Sequence, residues 1–365
     1  MARISLVENI RKKVRQYTDK NSSYRLQDVI GIDLGTANTL ICLNQRGVVL
    51  NEASTISYIR ENGTNSGYLY GNKAKELIGK TPVSIEVVNP IDDGVVASGV
   101  LSEEMIRKFL NSITKKSKLM RPIVIVGVPF SATDVEKKVL QDIVDRCNTQ
   151  ETYLIYESIA SAIGAGLPVE KPQGSIVIDI GGGTTEMSLM SMGGIIKNRT
   201  FKYGGRKIDN SIVEYIKQKY DVLISNATAE KAKMQIGTAF LKQDDNNKKT
   251  IIYGRNLKTN APTEIVINQE DMMTAIAEYT NIFIDKLNEL LEVTPPELMR
   301  DVKENGICIC GGGAKIENLD FIVKQTAGLD SFVPAEPELC LIHGLEKIIN
   351  DGYKKYVSVL FQQNS

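Results

Sequence analysis

The segment Ile178–Glu186 reads IDIGGGTTE, and it decides how the rest of the chain is interpreted. An apolar run typical of a buried strand carries Asp179 near its end, and three glycines and two threonines follow directly. Glycines leave backbone amides uncovered, and successive amides form a concavity that binds anions. The segment therefore predicts a phosphate-binding turn at the end of a strand.

The same pattern occurs twice, because IGIDLGTAN at residues 30–38 parallels IVIDIGGGT at residues 176–184. In both places a second strand-like run follows the glycine turn, which predicts a hairpin in each of two related halves. A third glycine turn, in ICICGGGAKIENLD at residues 307–320, also follows a strand, and we expect a helix from near Lys315. Between the repeats, YESIASAIGAGL at residues 156–167 predicts a helix of small residues suited to close packing. This alternation of strands and helices indicates an α/β protein.

The composition indicates a globular protein and argues against several functions. The 365 residues are 42% hydrophobic, and 44 basic residues balance 44 acidic ones, so nucleic acid is not an expected partner. The single histidine, His343, is expected to be structural rather than catalytic. No apolar run reaches the roughly 20 residues that span a bilayer, so we expect a cytoplasmic protein. Five scattered cysteines lack CxxC spacing and are expected to be reduced core thiols: Cys42, Cys147, Cys308, Cys310 and Cys340.

Two aspartates precede the paired glycine turns by two residues. Asp33 stands before Gly35, and Asp179 stands before Gly181. We expect both carboxylates to hold the water shell of a Mg²⁺ ion, because two aspartates beside two phosphate turns would otherwise repel the ligand. Neither the P-loop pattern GxxxxGKS/T after a strand nor a GxGxxG turn opening a βαβ unit is present. The sequence thus predicts a different nucleotide-binding architecture.

Five segments, in chain order, resemble the signatures of the superfamily of actin, sugar-kinase and heat-shock-chaperone ATPases: IGIDLGTANT, YESIASAIGAGL, VIDIGGGTTE, ICICGGGAKIENLD and ELCLIHGLEKI. Within this superfamily the chain resembles the MreB family of bacterial actins from Val29 to about Asp351, notably in GIDLGTANTL, AIGAGLPVE and DIGGGTTE. The resemblance implies an actin-like α/β fold with two domains around a central nucleotide cleft.

The resemblance also implies that each domain has a larger and a smaller subdomain. The expected bounds are residues 29–169 with 330–353 for domain I, 170–329 for domain II, about 53–100 for the first smaller subdomain and about 205–265 for the second. Outside them lie a basic N-terminal arm at residues 1–28, with apolar residues at helical spacing, and a tail at residues 354–365. A solvated or docked arm and a membrane- or partner-binding helix remain alternatives for residues 1–28.

The resemblance assigns roles to the three glycine turns and two helical segments. It implies ATP or ADP as the ligand, Mg²⁺ held through water by Asp33 and Asp179, and hydrolysis directed by Glu157 with Thr184 as its hydroxyl partner. The other implied nucleotide-binding residues are Gly35, Thr36, Ala37, Asn38, Gly181, Gly182, Gly183, Thr185, Glu230, Lys233, Gly311, Gly312, Gly313 and Ala314. Without the resemblance, Glu157 reads as a helix-start carboxylate, and Glu230 with Lys233 reads as an i,i+3 ion pair.

Two departures from the family pattern affect these roles. Tyr-Glu-Ser at residues 156–158 stands where the family usually has Glu-Glu-Pro. Loss of a proline that fixes φ predicts looser placement of Glu157 and slow hydrolysis. Gly-Arg-Lys at residues 205–207 stands where the family usually has Gly-Asp-Glu, which reverses the charge at the edge of the second half.

The resemblance further implies filaments on a membrane. We expect homopolymers of paired protofilaments on the inner face of the cell membrane, with other MreB paralogues or shape-determining proteins as further partners. The loop KKSKLMRP at residues 115–122 places Leu119 and Met120 among basic residues, which suits an anionic lipid surface. A turn whose apolar pair packs into the core is the alternative.

The sequence leaves other functions open. A non-polymerising superfamily member, such as a sugar kinase or a chaperone-type ATPase, is one alternative, and a scaffold that binds nucleotide but barely hydrolyses it is another. Most members of the family guide wall synthesis and rod shape, while paralogues in wall-less helical bacteria support helicity and swimming. The abundance of Lys, Ile and Asn leans toward the second group.

Overall fold

The computed structural model describes residues 27–356, apart from residues 62–63, 115–119 and 243–247. Most of the N-terminal arm, Leu119 of the basic loop and the tail beyond Tyr356 therefore lie outside the described residues. What the sequence predicts for these segments stays a prediction.

The strands of the described chain form two large and three small sheets. In chain order the strands are β1 Val29–Leu34, β2 Asn38–Leu43, β3 Gly47–Ala53, β4 Ile56–Glu61, β5 Thr64–Tyr70, β6 Ile85–Val88, β7 Ile91–Asp92, β8 Val95–Val96, β9 Ile123–Val128, β10 Glu151–Tyr156, β11 Ser175–Ile180, β12 Thr185–Ser191, β13 Gly194–Phe201, β14 Val222–Leu223, β15 Lys249–Asn256, β16 Pro262–Asn268, β17 Ile307–Cys310 and β18 Ser331–Phe332.

Helices alternate with these strands and cover the faces of the large sheets. They are α1 Asn72–Lys75, α2 Gly99–Ile113, α3 Asp134–Arg146, α4 Glu157–Gly164, α5 Gly205–Tyr220, α6 Asn226–Ile236, α7 Gln269–Ala275, α8 Ala277–Glu292, α9 Pro296–Asn305, α10 Leu319–Ala327 and α11 Cys340–Asn350. Helix α3 begins with a capping box, because the Thr133 hydroxyl accepts a hydrogen bond from the Glu136 amide while the Glu136 carboxylate accepts one from the Thr133 amide.

The two large sheets share one topology. The first has the strand order β10-β9-β1-β2-β3, and the second has the equivalent order β18-β17-β11-β12-β13. In each sheet an antiparallel meander of three strands continues into two parallel strands. The predicted repeat of two related halves is therefore confirmed, with one glycine turn joining β1 to β2 and another joining β11 to β12. We name the part built on the first sheet lobe I and the part built on the second lobe II.

Two small antiparallel sheets extend the lobes. The order β5-β4-β6 follows β3 in lobe I, and the order β14-β15-β16 follows α5 in lobe II. The first lies inside residues 53–100, and the second starts inside residues 205–265 but runs on to Asn268. The domain bounds themselves stay predictions. A further two-stranded hairpin, β7 with β8, connects the first small sheet to α2.

Three clusters of buried apolar side chains hold the fold together. One lies inside lobe II, for example around Ile178 and Phe283, and another lies inside lobe I around Val126. The third joins the two lobes, because it includes Leu40 of lobe I, Val177 of lobe II and side chains of helices α4 and α11. All five cysteines are buried and free, as expected of core thiols. Fully burying one large apolar side chain of these clusters contributes about 1.5–3 kcal/mol, so the clusters dominate the stabilisation of the fold.

Helices α4 and α11 cross between the lobes at two glycines. A Cβ on Gly164 would clash with the carbonyl oxygen of Cys340, and a Cβ on Gly344 would clash with that of Ala160. The backbones of the two helices therefore touch directly. This is the close packing expected of the small-residue helix.

The expectation of a helix from near Lys315 is wrong. Gly312–Lys315 forms one short 3₁₀ turn, and α10 begins only at Leu319. The backbone of Glu317 pairs with the segment after α6, because Ala239 donates its amide to the Glu317 carbonyl at 2.8 Å. Asn318 then takes a left-handed conformation with φ 64° before the helix starts.

Candidate functional site

Ser54, which directly follows strand β3, fixes the first glycine turn. The Ser54 hydroxyl donates to the carbonyl oxygen of Gly35 at 2.5 Å, and the Ser54 amide donates to the Ala37 carbonyl at 3.0 Å. A Cβ on Gly35 would lie 2.8 Å from the Asn38 carbonyl oxygen, so only glycine fits this turn. The turn between β1 and β2 is therefore held in one shape.

The second glycine turn is fixed by the start of helix α5. The Gly205 amide donates to the Gly181 carbonyl at 2.9 Å, and the Arg206 amide donates to the Gly182 carbonyl at 2.9 Å. Within the turn, the Gly181 amide donates to the Thr184 carbonyl at 2.9 Å. The helix start thus binds two carbonyls of the turn between β11 and β12.

The two turns face each other across the gap between the lobes. A Cβ on Gly182 would lie 3.0 Å from the Cβ of Ala37, and a Cβ on Gly183 would lie 3.0 Å from the Thr36 hydroxyl oxygen. Side chains at either glycine would therefore fill the space between the turns. The glycines therefore allow a turn from each lobe to lie close against the other.

Carboxylates of both lobes influence one another's ionisation near the two turns. Burial, reinforced by the charge of Asp179, raises the pKa of Asp33 to about 7. The pKa of Glu157 lies well above its ordinary value because of burial, and Asp33, Glu186 and Asp179 add to the shift in that order. Asp33, Glu157, Asp179 and Glu186 are therefore near enough for their charges to influence one another.

Hydrogen bonds partly offset the cost of burying these carboxylates. Burial raises the pKa of Asp179, while donors from Ser161 and Cys310 oppose the rise. The Ser161 bond, to Oδ2 of Asp179, is 2.6 Å long. Burial also raises the pKa of Glu186 to about 7, opposed mainly by the Phe130 amide, which donates to Oε2 at 2.9 Å.

The donor set fits a divalent cation held through its water shell. Four facing carboxylates repel one another, and a cation among them would relieve that repulsion. Within the described residues, no three or more His, Cys, Asp or Glu side chains are grouped so that they could ligate an ion directly. Mg²⁺ held through water by Asp33 and Asp179 stays a prediction.

The third glycine turn packs on the end of strand β11. Gly311 has φ 80°, and a Cβ there would clash with Oδ1 of Asp179, while a Cβ on Gly313 would clash with the side chain of Ile180. Gly312 has no neighbour within 4 Å of the equivalent position. Gly311 and Gly313 therefore serve the packing of the turn, and Gly312 faces open space. Ala314 is buried beneath them.

The two residues expected on helix α6 are engaged in ion pairs. Glu230 pairs with Lys75 of lobe I at 3.2 Å. Lys233 pairs with Asp209 at 2.7 Å and donates to the Gly205 carbonyl at 2.9 Å. Lys233 thus contacts the residue that holds the second glycine turn.

The threonines of the turns are used in different ways. The Thr36 hydroxyl accepts from the Gly94 amide at 2.9 Å, and the Thr185 hydroxyl donates to the Tyr203 carbonyl at 2.8 Å inside the core. Any contact of Thr185 with a nucleotide would therefore come from its backbone. Thr184 is half-buried at the end of the second turn, and Asn38 is exposed at the start of β2.

Three residues of the site were not predicted from the sequence: Glu186, Ser161 and Ser54. Glu186 is the only charged residue of strand β12, whose other six residues are uncharged and all buried. An isolated carboxylate in a buried strand is a signal of function that could have identified it. Ser158, which replaces the family proline, is fully buried in the first turn of α4.

Met120 is the described member of the apolar pair in the basic loop, and 44% of it is exposed. Leu119 lies among the residues left undescribed. No helix in the part of the chain that the structure describes has the length and apolar character needed to cross a bilayer.

Comparison with protein families shows what this architecture resembles. The model of the MreB/Mbl protein family matches residues 27–356. The cell shape-determining protein MreB of Escherichia coli strain K12 is 37% identical over 319 residues, which cover 86% of this chain and 91% of that protein. The cell shape-determining protein Mbl of Bacillus subtilis strain 168 is 34% identical over 315 residues, covering 86% of this chain and 93% of Mbl.

Solved structures show the same similarity. MreB5 of Spiroplasma citri bound to ADP is 32% identical and superposes with a TM-score of 0.84, covering 91% of this chain and 98% of MreB5. The AMPPNP-bound form of that protein gives a TM-score of 0.85. MamK in a double helical filament, 18% identical, gives a TM-score of 0.75 over 88% of this chain and 98% of MamK. The fold is therefore actin-like, as the sequence predicts.

Proposed function

The chain belongs to the MreB/Mbl family, and from this premise we propose that it is a nucleotide-dependent cell shape-determining protein that hydrolyses ATP and assembles into filaments on the inner face of the cell membrane. One observation carries the proposal: two glycine turns from different lobes face each other above a group of shared carboxylates. MreB and Mbl are named cell shape-determining proteins, and MreB5 binds ADP and AMPPNP. These names do not favour the alternative of a sugar kinase or chaperone-type ATPase.

The proposed mechanism begins with the turns. The amides near Gly35 and Gly181 bind the β- and γ-phosphates from opposite lobes, so ATP and ADP favour different degrees of closure. Mg²⁺, held through water by Asp33 and Asp179, would offset the negative charge of the phosphates when bound. Gly312 faces open space beside β11, where a flat ring or a sugar can approach the backbone.

Glu157 is the proposed catalytic residue. It begins helix α4 and lies close enough to Asp33 and Asp179 for their charges to raise its pKa, after burial. A carboxylate with a raised pKa at this position accepts a proton from the attacking water, with Thr184 on the facing turn as its partner. Helix α4 has no side-chain cap from Tyr156 and has Ser158 in place of the family proline, and both features support slow turnover.

Assembly supplies the link to cell shape. Head-to-tail contacts between copies generate filaments, and paired protofilaments present many copies of each loop to one surface. Met120 at the edge of the basic loop is suited to a lipid surface. Other MreB paralogues and shape-determining proteins are the expected further partners. Whether the chain serves wall synthesis or swimming depends on the cell in which it works.

Sedimentation and phosphate release test this proposal together. The full chain is incubated with Mg²⁺ and ATP and centrifuged at high speed, while phosphate release is recorded on the same samples. We expect protein in the pellet and slow phosphate release without any added sugar. A protein that stays in the supernatant and converts ATP to ADP only when a sugar is added, with the phosphoryl group on the sugar and no free phosphate, is a kinase. A pellet with no phosphate release indicates a nucleotide-binding scaffold instead.

A further inference from the structure

We propose that Arg206 is a positioning residue that ties the second glycine turn to the acidic turn Asp92–Gly94 of lobe I and thereby slows the release of nucleotide. We name Asp92–Gly94 with Lys202 and Arg206 the cleft clasp. The inference rests on the proposed nucleotide site, because the clasp acts on the turns of that site. It adds a contact that regulates how long the site stays closed.

The clasp joins residues that are far apart in the chain. Nη2 of Arg206 contacts Oδ1 of Asp92 and lies 3.7 Å from Oδ1 of Asp93. Nζ of Lys202 lies 3.8 Å from Oδ2 of Asp93. Two adjacent carboxylates of lobe I therefore meet two cations of lobe II. The reversal of charge at Arg206, seen in the sequence, is complemented across the gap.

Arg206 contacts the second glycine turn through its backbone and the acidic turn through its side chain. Its backbone amide donates to the Gly182 carbonyl at 2.9 Å, while its side chain binds Asp92. One residue thus holds the second glycine turn and the acidic turn at the same time. A movement of either turn away from the other must break one of these two contacts.

The acidic turn contacts both glycine turns. The Gly94 amide donates to the Thr36 hydroxyl at 2.9 Å in the first turn. A Cβ on Gly183 of the second turn would lie 2.7 Å from the Cα of Asp93. Asp93 has φ 48°, so the chain reverses sharply at this point.

The hairpin that carries the acidic turn is anchored in lobe I. Ile91 of β7 is fully buried in the lobe I cluster. Before it, the Pro90 carbonyl accepts hydrogen bonds from the Ala97 amide and the Ser102 hydroxyl. A rigid support on one side and the helix start on the other let the ion pairs transmit force between the lobes.

The exposure of the pairs makes the clasp sensitive to salt. The side chains are 36% exposed for Arg206, 60% for Asp92 and 28% for Asp93. Exposed ion pairs contribute little individually and are screened over about 10 Å at 0.1 M salt. The clasp therefore adjusts the lifetime of the closed cleft and does not determine whether the protein folds.

Charge exchange tests the clasp. The release of a fluorescent ADP analogue is followed by stopped flow in the full chain with Mg²⁺, for the wild type, Arg206→Asp, Asp92→Arg and the double exchange. Each single variant should release the analogue about 3–10 times faster, as expected for losing an exposed ion-pair network. The double exchange should return the rate to within about twofold of the wild type, because opposite charges face each other again.

Lys217→Glu is the matched control. Lys217 lies on the same helix, exposed, and pairs only locally with Glu214 in the structure. Its variant should release the analogue at the wild-type rate. If Arg206→Asp behaves like Lys217→Glu, or if the double exchange is no better than the single variants, the clasp is disproved.

Hydrogen exchange separates the clasp from the proposed function. In protein without nucleotide, peptides covering residues 90–97 and 181–185 should exchange faster in Arg206→Asp than in the wild type. Raising the salt from 50 to 500 mM should speed exchange in the wild type by screening attraction and slow it in the variant by screening repulsion among the carboxylates. If the wild type binds no nucleotide, the proposed function fails, and these exchange rates still decide the clasp. Equal exchange in both proteins would overturn it.

Discussion

The Ser161 hydroxyl donates a 2.6 Å hydrogen bond to Oδ2 of Asp179 and so ties helix α4 to the end of strand β11. Asp179 belongs to the proposed cation site, and Glu157 begins the same helix as Ser161. The position of the proposed catalytic carboxylate is therefore coupled to the charge of the proposed cation site.

Removing this hydrogen bond should weaken nucleotide binding. Burial raises the pKa of Asp179 and the Ser161 hydrogen bond lowers it. Ser161→Ala removes that hydrogen bond, so the pKa of Asp179 rises further and less of the carboxylate is ionised. We expect the Kd for ATP with Mg²⁺ to rise about tenfold, in line with the loss of a hydrogen bond to a charged group. Fluorescence titration measures this, and the loss should grow as the pH is lowered. Ser112→Ala, on the far end of α2, is the control and should bind normally.

Neutralising the proposed base should stop hydrolysis without stopping binding. Glu157→Gln keeps the shape of the side chain but cannot accept a proton from water. Phosphate release should fall by about 10²–10⁴-fold, the usual contribution of a general base, while the Kd for ATP changes by less than about threefold. Glu292→Gln, at the end of α8, should retain full activity. Phosphate release at the wild-type rate in Glu157→Gln would refute the assignment.

Two neighbouring glycines should respond differently to a methyl group. Gly311→Ala should destabilise the fold by about 1–3 kcal/mol, because the residue has a positive φ and its Cβ would clash with Asp179. Gly312→Ala should leave the melting temperature unchanged, since the added Cβ meets nothing within 4 Å. If the turn borders the adenosine, Gly312→Ala will still weaken nucleotide binding. Thermal unfolding and fluorescence titration on both variants separate these effects, and equal melting temperatures would contradict the packing described.

The buried carboxylate of Asp271 in lobe II should make the free energy of unfolding depend on pH in the acidic range. Burial opposes ionisation of Asp271, but hydrogen bonds from Lys219, the Asn268 amide and Tyr220 outweigh it, and its pKa lies below the ordinary value of 3.8. The stabilisation is present above that ordinary value and is lost as the pH falls through the lower folded pKa. Asp271→Asn should therefore cost about 1–2 kcal/mol at pH 7, and the difference from the wild type should shrink in strong acid. Urea unfolding between pH 2.5 and 7 checks this, and a constant difference would count against it.

An acidic substitution in the basic loop should reduce binding to lipid. Met120→Asp places a negative charge beside the anionic surface and removes apolar area from it. We expect a several-fold loss of cosedimentation with anionic liposomes. Met192→Asp is the control, because Met192 is 69% exposed at the turn between β12 and β13, away from the basic loop in sequence. Deleting residues 1–28 in the same assay tests the arm, and similar binding by the two methionine variants would exclude a role for the loop.

The fold was largely predictable because its pattern is local. IGIDLGTAN and IVIDIGGGT each carry a strand, a turn and the start of a second strand within nine residues, so the repeat of the sheets follows from adjacent positions. The start of α10 was missed because a long-range backbone pairing of Glu317 and the left-handed Asn318 delay it. Local periodicity carries no signal for either.

Site residues on the glycine turns were predictable from the sequence. Contacts between residues far apart in the chain were not. The Phe130 amide that holds Glu186 is 56 residues away, and Arg206 lies 114 residues from Asp92. Such contacts depend on how the lobes pack, and a single sequence has no pattern that specifies them. The charge reversal at residues 205–207 was visible, but its complement in Asp92 and Asp93 was not.

The glycine crossing of α4 and α11 restricts how the molecule can open. With backbone against backbone at Gly164 and Gly344, no compressible side chains separate the helices, so they cannot approach further. Sliding apart would empty the apolar cluster around them. Swivelling about this fixed pivot is the motion that costs least, and its amplitude grows with distance from the axis. The outermost surfaces of the protein therefore register a small rearrangement at the centre as a large displacement.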